Sequence, residues 1–170
     1  MVDVERIPIH GGSLRVTAAL AGAAPVGPAV VALLDEEARL GVDDISYYRD
    51  FGTRVDLLCD GLRDVLGDLR AQGRRVAGYG AAAKATVLLN ALGLGEETID
   101  FVVDRNPHKH DRLVPGTRIP ISPVERLVAD QPDDTVLFVW NFADEVLDQQ
   151  AEYRTRGGRF LVPIPEPRFA

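Results

Sequence analysis

The chain has 170 residues and a net charge of −7, room for one domain of ordinary size with an appended arm, and its acidity argues against a general nucleic-acid surface. Its hydrophobic content of 46% is enough for a sizeable core, and its single cysteine excludes an internal disulfide and a cysteine-rich zinc site. No apolar run approaches the roughly 20 residues of a membrane span and no signal peptide is visible, so a soluble, cytoplasmic protein is expected.

Three regions differ in texture: 1–20, 21–73 and 74–170. In the first, Val4, Ile7 and Ile9, then Leu14, Val16 and Ala18, alternate around His10-Gly11-Gly12-Ser13. This pattern predicts two short strands joined by a glycine turn. Two strands alone are marginal in water, so the pair is expected to join a larger sheet. His10 is a polar loop residue at that sheet's edge and a candidate to face a substrate. The stretch from Ala21 to Pro28, rich in Gly, Ala and Pro, reads as a linker.

A short helix is expected over about Val30–Leu40, and a longer one from near Asp44 to the glycine at Gly73. In the longer one Ile45, Tyr48, Phe51, Val55, Leu58, Leu62, Val65 and Leu69 recur at steps of three and four, making one apolar stripe. Such a stripe packs on a neighbouring element or serves a dimer contact. Cys59 lies within it, in Leu57-Leu58-Cys59, as a packed thiol.

From residue 74 strands and helices alternate. Strands are predicted at Arg75–Tyr79, Ile99–Val103, Thr135–Val139 and Arg159–Val162, with helices at about Ala82–Leu92, Pro123–Ala129 and Ala143–Arg156. Ser122-Pro123-Val124-Glu125 has the form of a capping box. The strands are short and Val/Ile/Leu-rich without alternation, as when both faces are covered. The order predicts an α/β fold with a parallel sheet of four or five strands and helices on both faces.

In such a sheet ligands bind beyond the carboxyl ends of the strands. Three loops arrive there. The first is Gly78-Tyr79-Gly80-Ala81-Ala82-Ala83-Lys84, a strand, a glycine turn and the opening of a helix. Its backbone amides and positive helix end suit a phosphate. Lys84 is one of only two lysines among 19 basic residues. The second loop, Asp104-Arg105-Asn106-Pro107-His108-Lys109, holds the other lysine. Asp104 ends its strand where an acid often contacts a ribose, and Arg105 and Lys109 are in place for phosphates. The third is Trp140-Asn141, where the Asn141 amide suits a base or sugar edge, or caps the helix that follows. Candidate ligand contacts are therefore Gly78, Tyr79, Gly80, Ala81, Lys84, Asp104, Arg105, Asn106, Asn141 and His10. No Ser-His-Asp or Cys-His pairing has a credible context, and His10, His108 and His110 are too scattered for a metal site.

The stretch from Arg75 to Lys84, then Leu88-Leu89-Asn90, Ile99 to Pro107, Pro115 to Ile121, Trp140 to Glu145 and Gly157 to Pro165 resembles the C-terminal domain of nucleotide-sugar C-methyltransferases. Departures are modest: the family tends to carry Pro at the position of Ala82 and Gly at that of Ala85. The opening Ile7 to Arg15 resembles the end of the methyltransferase domain that precedes it in that family.

The resemblance implies a Rossmann-like domain that helps to hold a nucleoside-diphosphate keto-deoxysugar. Gly78, Gly80, Ala81 and Lys84 would receive the diphosphate, and Asp104, Arg105 and Asn106 would contact sugar or nucleoside. It also implies a partner domain, in cis or in trans, that binds S-adenosylmethionine, and a zinc-binding region before it. This chain lacks their signatures, so no cofactor is expected on it and no catalytic residue is assigned. Two rival readings remain: a non-catalytic module that docks a methyltransferase, and an NAD-dependent oxidoreductase.

Overall fold

A computed structural model describes residues 1–9 and 12–170. His10 and Gly11 lie outside the described residues, and with them the expectation for His10. The chain divides into two units, Met1–Arg54 and Val55–Ala170.

In the first unit, strand β1 (Asp3–Ile7) pairs antiparallel with β2 (Ser13–Thr17), Val4 standing opposite Val16. Contrary to expectation, this ribbon joins no larger sheet among the described residues. It leans instead on helix α1 (Pro28–Leu40), to which Arg6 of β1 is tied through Glu36 at 2.8 Å. Proline stands in the first turn of α1 and Gly41, at φ 69°, closes its end in the left-handed conformation.

The predicted long helix is two helices. A four-residue α2 (Ser46–Arg49), opened by the Asp44 carboxylate accepting from the Ser46 amide at 2.7 Å, is followed by α3 (Phe51–Ala71). The apolar stripe packs only in its second half, where Leu62 and Leu69 are buried, Leu58 and Val65 are partly buried, and Leu66 and Cys59 are buried beside them; Ile45, Tyr48, Phe51 and Val55 are exposed.

The second unit is built on one sheet. Its strands are β3 (Val76–Tyr79), β4 (Val102–Val103), β5 (Ile121–Ser122), β6 (Asp134–Leu137), β7 (Arg159–Val162) and β8 (Arg168–Phe169). The order is β5-β4-β3-β6-β7-β8, parallel throughout except for antiparallel β8 at the edge. The α/β class and parallel sheet are as expected. β5 and β8 escaped the sequence because two-residue strands carry no periodicity.

Two helices cover one face and three shorter ones the other. Val76, Val102, Val136 and Leu161 pack with α3 and with α4 (Ala83–Leu92). Ala77, Tyr79, Val103, Leu137 and Phe160 face the other way. There they meet α5 (Glu125–Asp130), α6 (Ala143–Gln149) and α7 (Ala151–Thr155). The last two replace one predicted helix, broken at Gln150 (φ −102°, ψ 28°). The expected capping box does not form: α5 starts at Glu125 with no side-chain cap, and Ser122 Oγ instead accepts from Arg126 at 3.0 Å.

Candidate functional site

The two edges of the sheet differ in charge. At the edge where β3 and β6 begin, carboxylates are matched by arginines. Asp134, fully buried, accepts from Arg74 and Arg159, and Asp100 pairs with Arg70 and Arg75. Asp133 accepts from the Arg75 amide at 2.7 Å. This edge is a set of closed ion pairs. The carboxyl edge, where β3, β4 and β6 end, is not.

At that edge β3 turns into α4. Gly78 is inside the strand, and a Cβ there would lie 2.6 Å from the Phe138 ring and 2.9 Å from Val102. Its missing side chain is thus required by packing. Gly80 turns the chain at φ +94°, where a Cβ would meet Val139 at 2.6 Å. The Ala82 amide donates back to Gly80 O at 2.9 Å, and those of Ala85 and Thr86 donate to Ala82 O. The first turn of α4 has no acidic residue, and Ala82 at its N-cap provides no side-chain acceptor. From α3, Arg63 donates to the carbonyls of Ala91 and Leu92, which anchors the far end of the helix.

Lys84 stands in this uncapped first turn. Its ammonium donates to Asn141 Oδ1 and lies 4.5 Å from the centre of the Trp140 ring. Among the described residues it has no carboxylate partner, and burial lowers its pKa from the ordinary lysine value. Asn141 therefore faces the site. The cap position of α6 belongs to Phe142, which makes no side-chain cap bond.

The loop after β4 serves itself first. Asp104 Oδ1 accepts from the Asn106 amide at 2.8 Å, and Oδ2 pairs with Lys109 at 2.9 Å. Asn106 Oδ1 caps the single 3-10 turn Pro107–Lys109 by accepting from the His108 amide. Lys109 also donates to Ala81 O at 2.8 Å, so the second lysine, a phosphate candidate by position, ties the two loops together. Arg105 is largely exposed and held by one contact, 3.4 Å to Glu145.

Two cavities open on the α5–α6 side of this edge, sharing Tyr79, Asp104 and Arg105. One, of about 260 Å³, is completed by Gly80, Val139, Phe142, Glu145 and Val146. The other, of about 350 Å³, is lined by His110, Val124, Glu125, Gln149 and Gln150. Tyr79 is only 3% exposed, and its hydroxyl has no hydrogen-bond partner, although Gln150 lies close by. Burial raises the Tyr79 pKa above the ordinary phenol value. Val139, Phe142, Glu145, Val146, Gln149 and Gln150 were not picked out as ligand contacts from the sequence. Nothing in local pattern separates them from ordinary core or helix-surface residues.

Zinc does not fit the residues present: Cys59 is buried in α3, and no group of three metal-capable side chains occurs among the described residues. Nor is any described helix long and apolar enough to cross a membrane.

The second unit is an α/β domain of the Rossmann-like class, with two cavities at the carboxyl edge of its sheet that share Tyr79, Asp104 and Arg105. The chain belongs to the C-methyltransferase C-terminal domain family, whose model matches residues 8–165. It is similar to the C-methyltransferase NovU of Streptomyces niveus, with 42% identity over 169 residues, which is 99% of this chain and 40% of that protein. The chain thus spans two fifths of the length of that relative.

Proposed function

We propose that this domain holds the nucleoside-diphosphate end of a keto-deoxysugar while a separate domain, in cis or in trans, methylates a sugar carbon. The observation that carries this reading is Lys84: an ammonium with no carboxylate partner among the described residues, in the uncapped first turn of a ten-residue helix. A helix N-terminus and a cation side by side repel each other unless an anion lies between them. Carboxylates matched by arginines at one sheet edge, against a Lys84 that has no carboxylate among the described residues at the other, support a ligand beside Lys84.

The chain's own residues bind and orient. Lys84 and the turn from Gly80 would take the diphosphate, and Asn141 would hold the ammonium in place. Asp104 and Asn106 shape the second loop, and Arg105 at its rim, held only by an exposed pair with Glu145, would meet sugar or phosphate. The methyl group would come from S-adenosylmethionine bound by the other domain. Methyl transfer by this chain alone is not expected.

Titration with thymidine diphosphate and its keto-deoxysugar conjugate tests the reading. Lys84→Met should weaken both by roughly 10- to 100-fold, the loss of one charge-assisted contact. An unchanged affinity in that variant sinks the proposal. Stabilisation by NADH but not by the sugar nucleotide would point to the oxidoreductase instead.

The docking reading has its own support. In the first unit Val30 is the sole fully buried apolar residue among those described, while Val31, Leu34, Leu40, Tyr47 and Tyr48 are exposed. A unit so poor in core is a natural face for the rest of a C-methyltransferase. Docking and ligand binding are compatible roles.

A further inference from the structure

We infer that β2 is a docking edge: an extended segment from the part of a C-methyltransferase outside this domain pairs with it and carries the β1–β2 ribbon into a larger sheet. This rests on the docking reading above and adds to it the element and the manner of contact.

The ribbon has one apolar and one polar face. By their register Val4, Arg6, Leu14 and Val16 share the first, and Val4, Arg6 and Leu14 line a groove there with Leu33 and Glu36 of α1. The second carries Glu5 and Arg15, paired at 2.9 Å, with Asp3 opposite Thr17. That face suits water, so the sheet can grow only sideways. The two strands are not equally open to such growth. β1 packs on α1, and its start is met by the loop before that helix, where the Gly27 amide donates to Val2 O at 2.8 Å. Leu14, Arg15 and Val16 of β2 make no backbone bond outside the ribbon among the described residues. An edge strand presents a row of free amides and carbonyls, which proteins commonly guard with proline, lysine or a bulge. Ser13-Leu14-Arg15-Val16-Thr17 has neither residue and keeps an unbroken register with β1.

The apolar side of this edge is also unfinished. Leu14 and Val16 are about half exposed, and a cavity of about 400 Å³ opens beside Leu14 toward Leu33, Leu40 and Val42. A strand laid along β2 would set alternate side chains over Leu14 and Val16 and into that space. A two-stranded ribbon is marginal by itself, and Val30 is the one fully buried apolar residue described in this unit, so an added strand supplies the core the unit lacks.

The occupant is a different strand, not β2 of a second copy. Pairing β2 with itself over its whole length about a two-fold axis sets Arg15 opposite Arg15, and like charges directly opposite repel. A strand with apolar residues opposite Leu14 and Val16 and an acid opposite Arg15 fits. A C-methyltransferase has further chain to offer it, since the match covers 40% of NovU.

The test measures amide exchange in the isolated chain and in a chimera where this chain takes the place of the matched residues of NovU. The inference expects the outward amides of β2 to exchange roughly tenfold or more slowly in the chimera. Val16→Lys, a charge at an exposed position on the docking side, should erase that slowing and leave the thermal transition of the isolated chain unchanged. Mixing the isolated chain with the unmatched part of NovU gives the same comparison if the chimera misfolds. Association without slower exchange in β2 overturns strand pairing and leaves the docking reading standing. A dimer of the isolated chain with β2 already protected makes a second copy the occupant and overturns the inference. If the pieces do not associate and β2 exchanges equally in chimera and isolated chain, the inference and the docking reading both fall.

Discussion

Lys84 is charged in a place that disfavours charge, which gives its binding a pH signature. Burial lowers its pKa below the ordinary 10.5, so the folded chain releases this proton at a lower pH than the unfolded chain does. The unfolded state therefore binds more protons in that interval, and this group's contribution to stability rises with pH there. Anion binding runs the other way, because a phosphate needs the ammonium. Pyrophosphate affinity should fall as pH rises from about 7 toward 10, beginning below the usual lysine range, and Lys84→Met should lose that dependence. Calorimetric titration across that range would show it; an identical slope in the variant would assign the effect to another group. From sequence Lys84 was the expected diphosphate contact and Lys109 a further phosphate candidate by position. The fold separates them, since Lys109 is spent on Asp104 and Ala81 O while Lys84 meets only an amide and a ring.

Strand β3 and helix α4 show how an element can be read for one reason and built for another. A strand, a glycine turn and a helix were legible because propensity and turn chemistry are local. The purpose of Gly78 was not, because Phe138 reaches it from the neighbouring β6 segment. Gly78→Ala should therefore destabilise the chain by about 1–3 kcal/mol through overpacking, whether or not ligand is present. Denaturant midpoints would record the loss, and a neutral outcome would return Gly78 to the ligand site. The same limit explains the apolar stripe, which runs unbroken in sequence from Ile45 to Leu69. Only its second half, Leu58, Leu62, Val65 and Leu69, packs into the core on the sheet, and the exposed half marks a face left for something else.

The two units divide their labour. The second carries both core clusters, and the first has one buried apolar residue among those described. If the first unit docks the rest of a C-methyltransferase, Leu34→Glu on the exposed side of α1 should barely move the stability of the isolated chain, within about 0.5 kcal/mol. The same change should abolish co-purification with the part of a C-methyltransferase that lies outside this domain. Retained association would place the interface elsewhere.

Some features of this protein follow from neighbours along the chain: the strand-turn-helix at Gly78–Lys84, the glycine stops at Gly41 and Gly73, the α/β alternation, and the matching stretches that mark the family. These depend on backbone geometry and on the periods of helix and strand, which any local window contains. Others exist only once distant segments meet. Lys84 finds Asn141, Phe142 becomes the wall of a cleft beside Tyr79, and Lys109 closes onto Ala81. Which charge is neutralised and which ring is left in water depends on contacts between residues far apart in the chain, and no local pattern encodes those.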